Sequence, residues 1–234
     1  MLWDALSFYL LSREKRSIIG NQTGRVKRTR LRKESMMNRE LLKKNFEAHG
    51  FLPVFFDTKE EALHYLTGEL KGKKIAFGGS VTVQQMGLAE ALAAENEVIW
   101  HWLAPGPETL KQAREAEIYI TSANAVSETG ELVNIDGTGN RVAQTLFGPE
   151  KTYFVVGKNK LSPDLAAAMD RARNVAAPKN AVRLSRKTPC AVSGGEKCFR
   201  CSSPENICHA TVILERPCGP MKVEVVFIDE ELGY

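Results

Sequence analysis

A chain of 234 residues that is 43% hydrophobic can bury one sizeable core, and its length bounds it at one or two domains. No apolar run reaches the roughly 18 residues of a membrane-spanning helix. The net charge of +4 is unevenly spread: residues 1–35 carry +6 and the remainder −2, so the main body gives no electrostatic case for nucleic acid.

Residues 1–35 differ in character from the rest of the chain. A short apolar patch around Leu2-Trp3 and Ala5 to Leu11 precedes an Arg-rich tail. A secretory signal would place the charge first. A basic arm for nucleic acid or membrane is the functional reading; the expectation is an extraneous leader, with the domain running from residue 36 to 234. From Asn38 the pattern is regular. Asn38 caps a helix through Leu41, Leu42 and Phe46, ended by Gly50. Phe51 to Phe56 reads as a strand, placed at a sheet edge by Pro53. Asp57 or Thr58 caps a helix through Leu63, Leu66 and Leu70. Strand Lys74–Phe77, a helix around Met86–Leu92, strand Glu97–Trp102 and a helix from Pro107 to Ala116 come next. Ile118–Ile120 and Tyr153–Gly157 are further strands. Ser162-Pro163 opens a helix to about Ala177, and Met221–Ile228 is a last strand. Strands alternating with helices imply an α/β fold, its mostly parallel sheet covered on both faces.

Two glycine-bearing stretches interrupt this alternation. Ile75-Ala76-Phe77-Gly78-Gly79-Ser80-Val81-Thr82 is strand, glycines, then helix. Free N–H groups there favour an anion, although the stretch matches neither the dinucleotide fingerprint nor the Walker loop. Ser80 or Thr82 can equally serve as the helix cap. Thr121 to Ala143 sets Asn124, Glu128, Asp136, Thr138, Asn140, Arg141 and three glycines behind an apolar strand. Loops on rigid strands carry binding groups; the plainer alternative is a hairpin with good turns at E-T-G-E and D-G. Arg141 would clamp a carboxylate or phosphate with its planar fork, while Glu128 or Asp136 would act as a general base. The alternative for Asp136 is that it only neutralises Arg141.

The five cysteines all lie between Cys190 and Cys218. Clustering of this kind fits a metal or redox site in a reducing, cytoplasmic compartment better than a secreted disulfide scaffold. Cys190, Cys198, Cys201 and Cys208 are spaced C-x7-C-x2-C-x6-C in an irregular segment, residues 188–218. Four convergent thiolates can hold a [4Fe–4S] cluster or zinc. Cys218 is read as spare, and His209 as an alternative ligand. His49, His64 and His101 are read as structural or surface residues.

Together, G-G-S-V-T at Gly78–Thr82, T-S-A-N-A-V-S-E-T-G-E-L-V-N-I-D-G-T-G-N-R-V-A at Thr121–Ala143, R-N-V-A-A-P at Arg173–Pro178, T-P-C-A at Thr188–Ala191 and C-F-R-C at Cys198–Cys201 resemble the lactate-utilisation (LUD) domain family. The resemblance covers about Met37 to Tyr234. It implies a fold like that of ribose-5-phosphate isomerase and the CoA transferases, and for some members a place beside iron–sulfur subunits in L-lactate oxidation. Ser127-Glu128-Thr129-Gly130 is weakly similar to the loop that carries the CoA-transferase glutamate. Two functional expectations result. One is an iron–sulfur accessory of lactate or small-carboxylate oxidation, with an anionic metabolite bound by Gly78–Thr82, Asn124, Thr138, Asn140 and Arg141. The other is a non-redox acyl-CoA or sugar-phosphate protein with structural zinc.

Overall fold

The computed structural model describes residues 37–234. The basic leader expected over residues 1–35 lies outside the described residues. Six strands form a wholly parallel sheet: β1 (Leu52–Phe56), β2 (Lys74–Phe77), β3 (Glu97–Trp100), β4 (Ile118–Thr121), β7 (Lys151–Gly157) and β10 (Lys222–Ile228), in the order β1-β10-β7-β4-β2-β3. Pro53 has no N–H to give a second neighbour, and β1 is indeed an edge.

Helices cover both faces because the apolar positions alternate along each strand. Ile75 and Phe77, Ile118 and Ile120, Tyr153 and Val155, and Val226 and Ile228 point one way, into a core with Ala62 and Leu66 of α2 (Lys59–Glu69). On the opposite face Phe46 of α1 (Arg39–Ala48) meets Phe227 edge-on, with ring centroids 5.2 Å apart. Phe46 is fully buried, and truncating such a ring costs about 3–5 kcal/mol. Asn38 and Thr58 cap these two helices through their side chains.

The structure differs from expectation in four places. The helix after β2 is two short ones, α3 (Val81–Gln85) and α4 (Leu88–Leu92), because Gly87 at φ 62° breaks the run. β3 stops at Trp100, which releases His101 and Trp102 into a turn. The central stretch is a hairpin of β5 (Ala125–Ser127) and β6 (Leu132–Asp136), followed by α6 (Asn140–Leu146); α5 is Pro107–Gln112. The hairpin joins β8 (Leu161–Ser162) and β9 (Ala210–Leu214) in a second sheet, order β8-β5-β6-β9. β9 lies inside the segment read as irregular.

The fourth difference concerns the helix expected to end near Ala177. α7 (Leu165–Arg171) passes through a π-turn, Ala172–Ala176, into α8 (Ala177–Arg183). The Ala177 N–H reaches back five residues to the Ala172 carbonyl. Pro178 follows without an N–H of its own, and the wider turn lets the helix continue past it. Ala168, Ala172 and Ala177 form a small-residue seam against Ala125, Val133 and Ile135 of the second sheet. This seam brings the helix close to the hairpin and sets α8 over the carboxyl ends of the parallel strands.

Candidate functional site

A cleft of about 320 Å³ opens where the parallel strands end. In open α/β sheets ligands bind at this end of the strands. Gly79 to Thr82 enter it from behind β2, His101 and Trp102 from behind β3, and Ser122 to Asn124 from behind β4. Asp136, Thr138, Asn140 and Arg141 come from the end of β6. Most of the residues expected to bind a ligand are thus gathered on one wall.

Two are not. Gly78 is absent from the lining; a Cβ there would stand 2.6 Å from both Thr121 Oγ1 and Tyr119 Oη, so this glycine is required by packing. Glu128 sits in the hairpin turn, outside the cleft lining. Its N–H bonds the Ser162 carbonyl and its carbonyl accepts from Asn45 Nδ2 of α1. The hairpin carries the carboxylate away from the strand ends, which removes the basis for a base or nucleophile role in this cleft.

Arg141 lines the cleft, but its fork is occupied. Nη1 donates to the Ser122 carbonyl and to Asn134 Oδ1, Nη2 donates to Asn124 Oδ1 and the Ile135 carbonyl, and Nε lies 3.4 Å from Asp136 Oδ2. The four Nη hydrogens are therefore used by the protein, Nε faces the Asp136 carboxylate, and the side chain is only 12% exposed. Arg141 braces the wall, in place of the anion clamp expected of it. Asp136 neutralises it and accepts from the N–H groups of Thr138 and Gly139, which leaves this carboxylate little freedom to act as a base. Ser80 caps α3 through Val83 N–H, as the capping alternative required. Thr82 is fully buried and donates to the Leu232 carbonyl.

Several lining residues were not anticipated. Lys160, on the turn after β7, is 5% exposed and reaches Thr82 Oγ1 at 2.7 Å and Ser122 Oγ at 2.8 Å. Burial lowers its pKa well below the ordinary lysine value, and Arg171 and Arg141 lower it further. Arg171 is itself pulled down to about 10 by burial. Arg183, Arg186 and Asn180 line the far side; the Arg183 guanidinium lies over the Trp102 ring, 4.6 Å from its centroid. His101, expected to be structural, also lines the cleft. Its pKa is lowered, first by burial and then by Arg183, against the opposing pull of Asp136. Gly233 and Tyr234 complete the lining. The signal for Arg183 and Arg186 was present in the sequence, as cations just beyond R-N-V-A-A-P.

The four expected ligand cysteines line one second cavity of about 230 Å³. Cys190 comes from α9 (Pro189–Val192), Cys198 and Cys201 from one tight loop, and Cys208 from the approach to β9. Arg200, at φ 48°, turns its N–H onto Cys198 Sγ at 3.3 Å. Asn206 Nδ2 donates to Cys201 Sγ at 3.5 Å, and Thr188 Oγ1 lies 3.2 Å from Cys190 Sγ. Burial raises the Cys208 pKa, and the other three cysteines add to that rise while Arg173 opposes it. Asn174, in the π-turn, accepts from the Cys198 N–H. Cys218 is exposed and outside this cavity, and His209 is not among its lining residues. Ala177 and Ile207 line both this cavity and the polar cleft, so one wall separates the two.

A family model for the LUD domain matches residues 39–228, most of the chain. This chain belongs to the LUD domain family. It is 26% identical over 113 residues to the Escherichia coli protein YkgG, a match covering 47% of this chain and 48% of that protein. The LUD chain therefore spans about half the length of the curated relative it matches. Among solved structures it is similar to a DUF162 family protein from Deinococcus radiodurans, at 12% identity and a TM-score of 0.47, covering 81% of this chain and 94% of that one. Ribose 5-phosphate isomerase A from Neisseria gonorrhoeae is a weaker likeness, at 15% identity and a TM-score of 0.31, covering 46% and 54%.

In this LUD domain the cleft lining holds Arg141, Lys160, Arg183 and Arg186 against Asp136. Arg141 and Asp136 satisfy each other, which leaves the rim arginines as the cations available to an incoming carboxylate or phosphate. Among the described residues, no helix is long and apolar enough to cross a membrane.

Proposed function

We propose that this LUD domain binds a small anionic metabolite in the polar cleft and carries a [4Fe–4S] cluster on Cys190, Cys198, Cys201 and Cys208. It would serve as a redox accessory in the oxidation of L-lactate or a related small carboxylate, beside iron–sulfur partner subunits. The observation that carries this reading is the shared cavity. Four thiols from three stretches of chain reach one space, directly behind a wall of the cleft.

The donor set fits the group. Soft thiolates suit iron–sulfur clusters and zinc alike. A single zinc ion holds each sulfur at about 2.3 Å, which draws four sulfurs to within about 4 Å of one another. Among the described residues, no three His, Cys, Asp or Glu side chains are already set to hold a single metal ion. A cavity of about 230 Å³ lined by all four thiols suits a larger inorganic core better. Such a cluster, when bound, supplies one-electron transfer. The chain's own part is to donate Arg200 N–H and Asn206 Nδ2–H to the sulfurs, which tunes their basicity. On the other side of the wall, Arg183 and Arg186 pair with the ligand's negative group.

The test is anaerobic purification followed by iron and sulfide analysis and an absorption spectrum. The expected result is a brown protein whose charge-transfer band bleaches reversibly with dithionite, and which is lost in a Cys198→Ser, Cys201→Ser variant. A colourless protein with stoichiometric zinc would overturn the cluster. It would favour the second reading, an acyl-CoA or sugar-phosphate site with a structural metal. One feature speaks for that reading: a more apolar cavity of about 650 Å³ adjoins the cleft and shares His101, Thr138 and Asn140 with it.

A further inference from the structure

Lys160 is an unusual occupant of the cleft wall. It follows the central strand β7, its backbone is held in the short turn Lys158–Lys160, and its amine ends inside the cleft lining. A buried lysine ordinarily pairs with a carboxylate. Among the described residues, no carboxylate lies within ion-pair distance of this one; its two side-chain partners are hydroxyls. Thr82 already gives its hydrogen to the Leu232 carbonyl, so its oxygen accepts from the Lys160 amine. The Ser122 hydroxyl gives its hydrogen to the Ala123 carbonyl at 3.5 Å, so its oxygen, 2.8 Å away, also accepts from the amine. The two hydroxyl oxygens thus accept two N–H bonds, and with no anion beside it the amine fits as the uncharged form, its lone pair left to the cleft. The guanidiniums of Arg141 and Arg171 oppose a further positive charge here, as does burial. An amine without its proton is a nucleophile, and a desolvated lysine is how such amines are made.

We propose that Lys160 Nζ is the reacting amine of the cleft and condenses with the carbonyl carbon of a small 2-oxo acid to form an imine. This rests on the reading of the cleft as a site for small carboxylates. The nitrogen lone pair forms the new C–N bond, and the carbonyl π pair moves to oxygen, which takes a proton. The carbinolamine then loses that oxygen as water, both hydrogens of the water having been given up by the nitrogen, and the nitrogen lone pair forms the C=N bond. No oxidant or reductant is consumed. The 2-oxo acid fits on two counts: its carboxylate answers Arg183 and Arg186 at the rim, and its carbonyl is the electrophile an uncharged amine needs. The imidazole of His101 lines the same cleft and is suited to carry the proton.

The experiment incubates the wild-type protein with pyruvate or glyoxylate and cyanoborohydride, which reduces an imine to a stable secondary amine, and maps the adduct by peptide mass spectrometry. Thermal shift with the same acids is read in parallel. An adduct on Lys160 in preference to the exposed lysines, lost in Lys160→Arg and suppressed by excess lactate, supports the proposal. A thermal shift without a Lys160 adduct overturns the imine and leaves the carboxylate cleft standing. Neither shift nor adduct with either acid overturns both.

Discussion

Replacing Arg141 with alanine separates a brace from a clamp. The substitution takes away the cation beside Asp136, whose side chain is 7% exposed, and the donor to the carbonyls of Ser122 and Ile135 and to the amide oxygens of Asn124 and Asn134. Asp136 keeps its bonds from Thr138 and Gly139 N–H, but it is left as an uncompensated buried charge. Removing one partner of such a pair costs about 3–5 kcal/mol. For a body of this size each kcal/mol lowers Tm by about 2–4 °C, so a fall of about 6–20 °C is expected. The measurement is reversible urea unfolding with differential scanning calorimetry on the cofactor-free protein. A double variant, Asp136→Asn with Arg141→Met, is expected to recover part of the loss, because no bare charge remains. Lysine should not substitute for Arg141, since one ammonium cannot reach four oxygens in a plane. A stability change below about 0.5 kcal/mol, the range of surface substitutions, combined with lost ligand binding, would refute the brace and restore the clamp.

Other variants probe the remaining walls. Gly78→Ala forces a methyl against Thr121 Oγ1 and Tyr119 Oη at 2.6 Å and is expected to destabilise by about 1–3 kcal/mol in urea melts, with an unchanged anion affinity per folded molecule. Arg183→Ala removes an exposed cation that stacks on Trp102 and should lower Tm by no more than about 4 °C while weakening carboxylate or phosphate binding by about tenfold in calorimetry, the worth of one charge-assisted hydrogen bond. Lys160 has a folded pKa below its unfolded value of about 10.4, so between the two the unfolded chain holds the extra proton and stability rises with pH. In Lys160→Met that alkaline rise should flatten; an unaltered pH profile would show that the amine is charged in the folded protein.

The parallel sheet was legible because its strands are short apolar runs bounded by turns and caps, and because Pro53 can stand only at an edge. The gathering of Asn124, Thr138, Asn140 and Arg141 was legible for the same reason: strand ends carry loops. What could not be read is where a polar side chain goes when its partners are remote. Nothing in the sequence marks Lys158-Asn159-Lys160, between a strand and a helix start, yet Lys160 is held by Thr82 and Ser122, 78 and 38 residues away. Glu128 shows the converse. Its S-E-T-G setting suggested chemistry, but a three-residue strand swings it to the end of the hairpin that meets α1. Arg141 looked like a free fork because the sequence does not show that Asn124 and Asn134 face each other across the hairpin. That four cysteines would line one cavity was legible locally, since thiols within one loop-rich segment have few other ways to pack.

The π-turn at Ala172–Ala176 adds one residue to what would otherwise be a continuous helix. One residue is about 100° of rotation, so everything beyond it is turned by that angle relative to a regular winding of the same residues. Winding the same residues as a regular α-helix would swing Arg183 off the rim, whereas deleting one residue of the turn would keep it in place. The same swing would carry Pro178 and Ala181 away from the thiols. The polar cleft and the thiol-lined cavity of this domain are thus set in phase by one irregular turn, and neither can be re-aimed without the other.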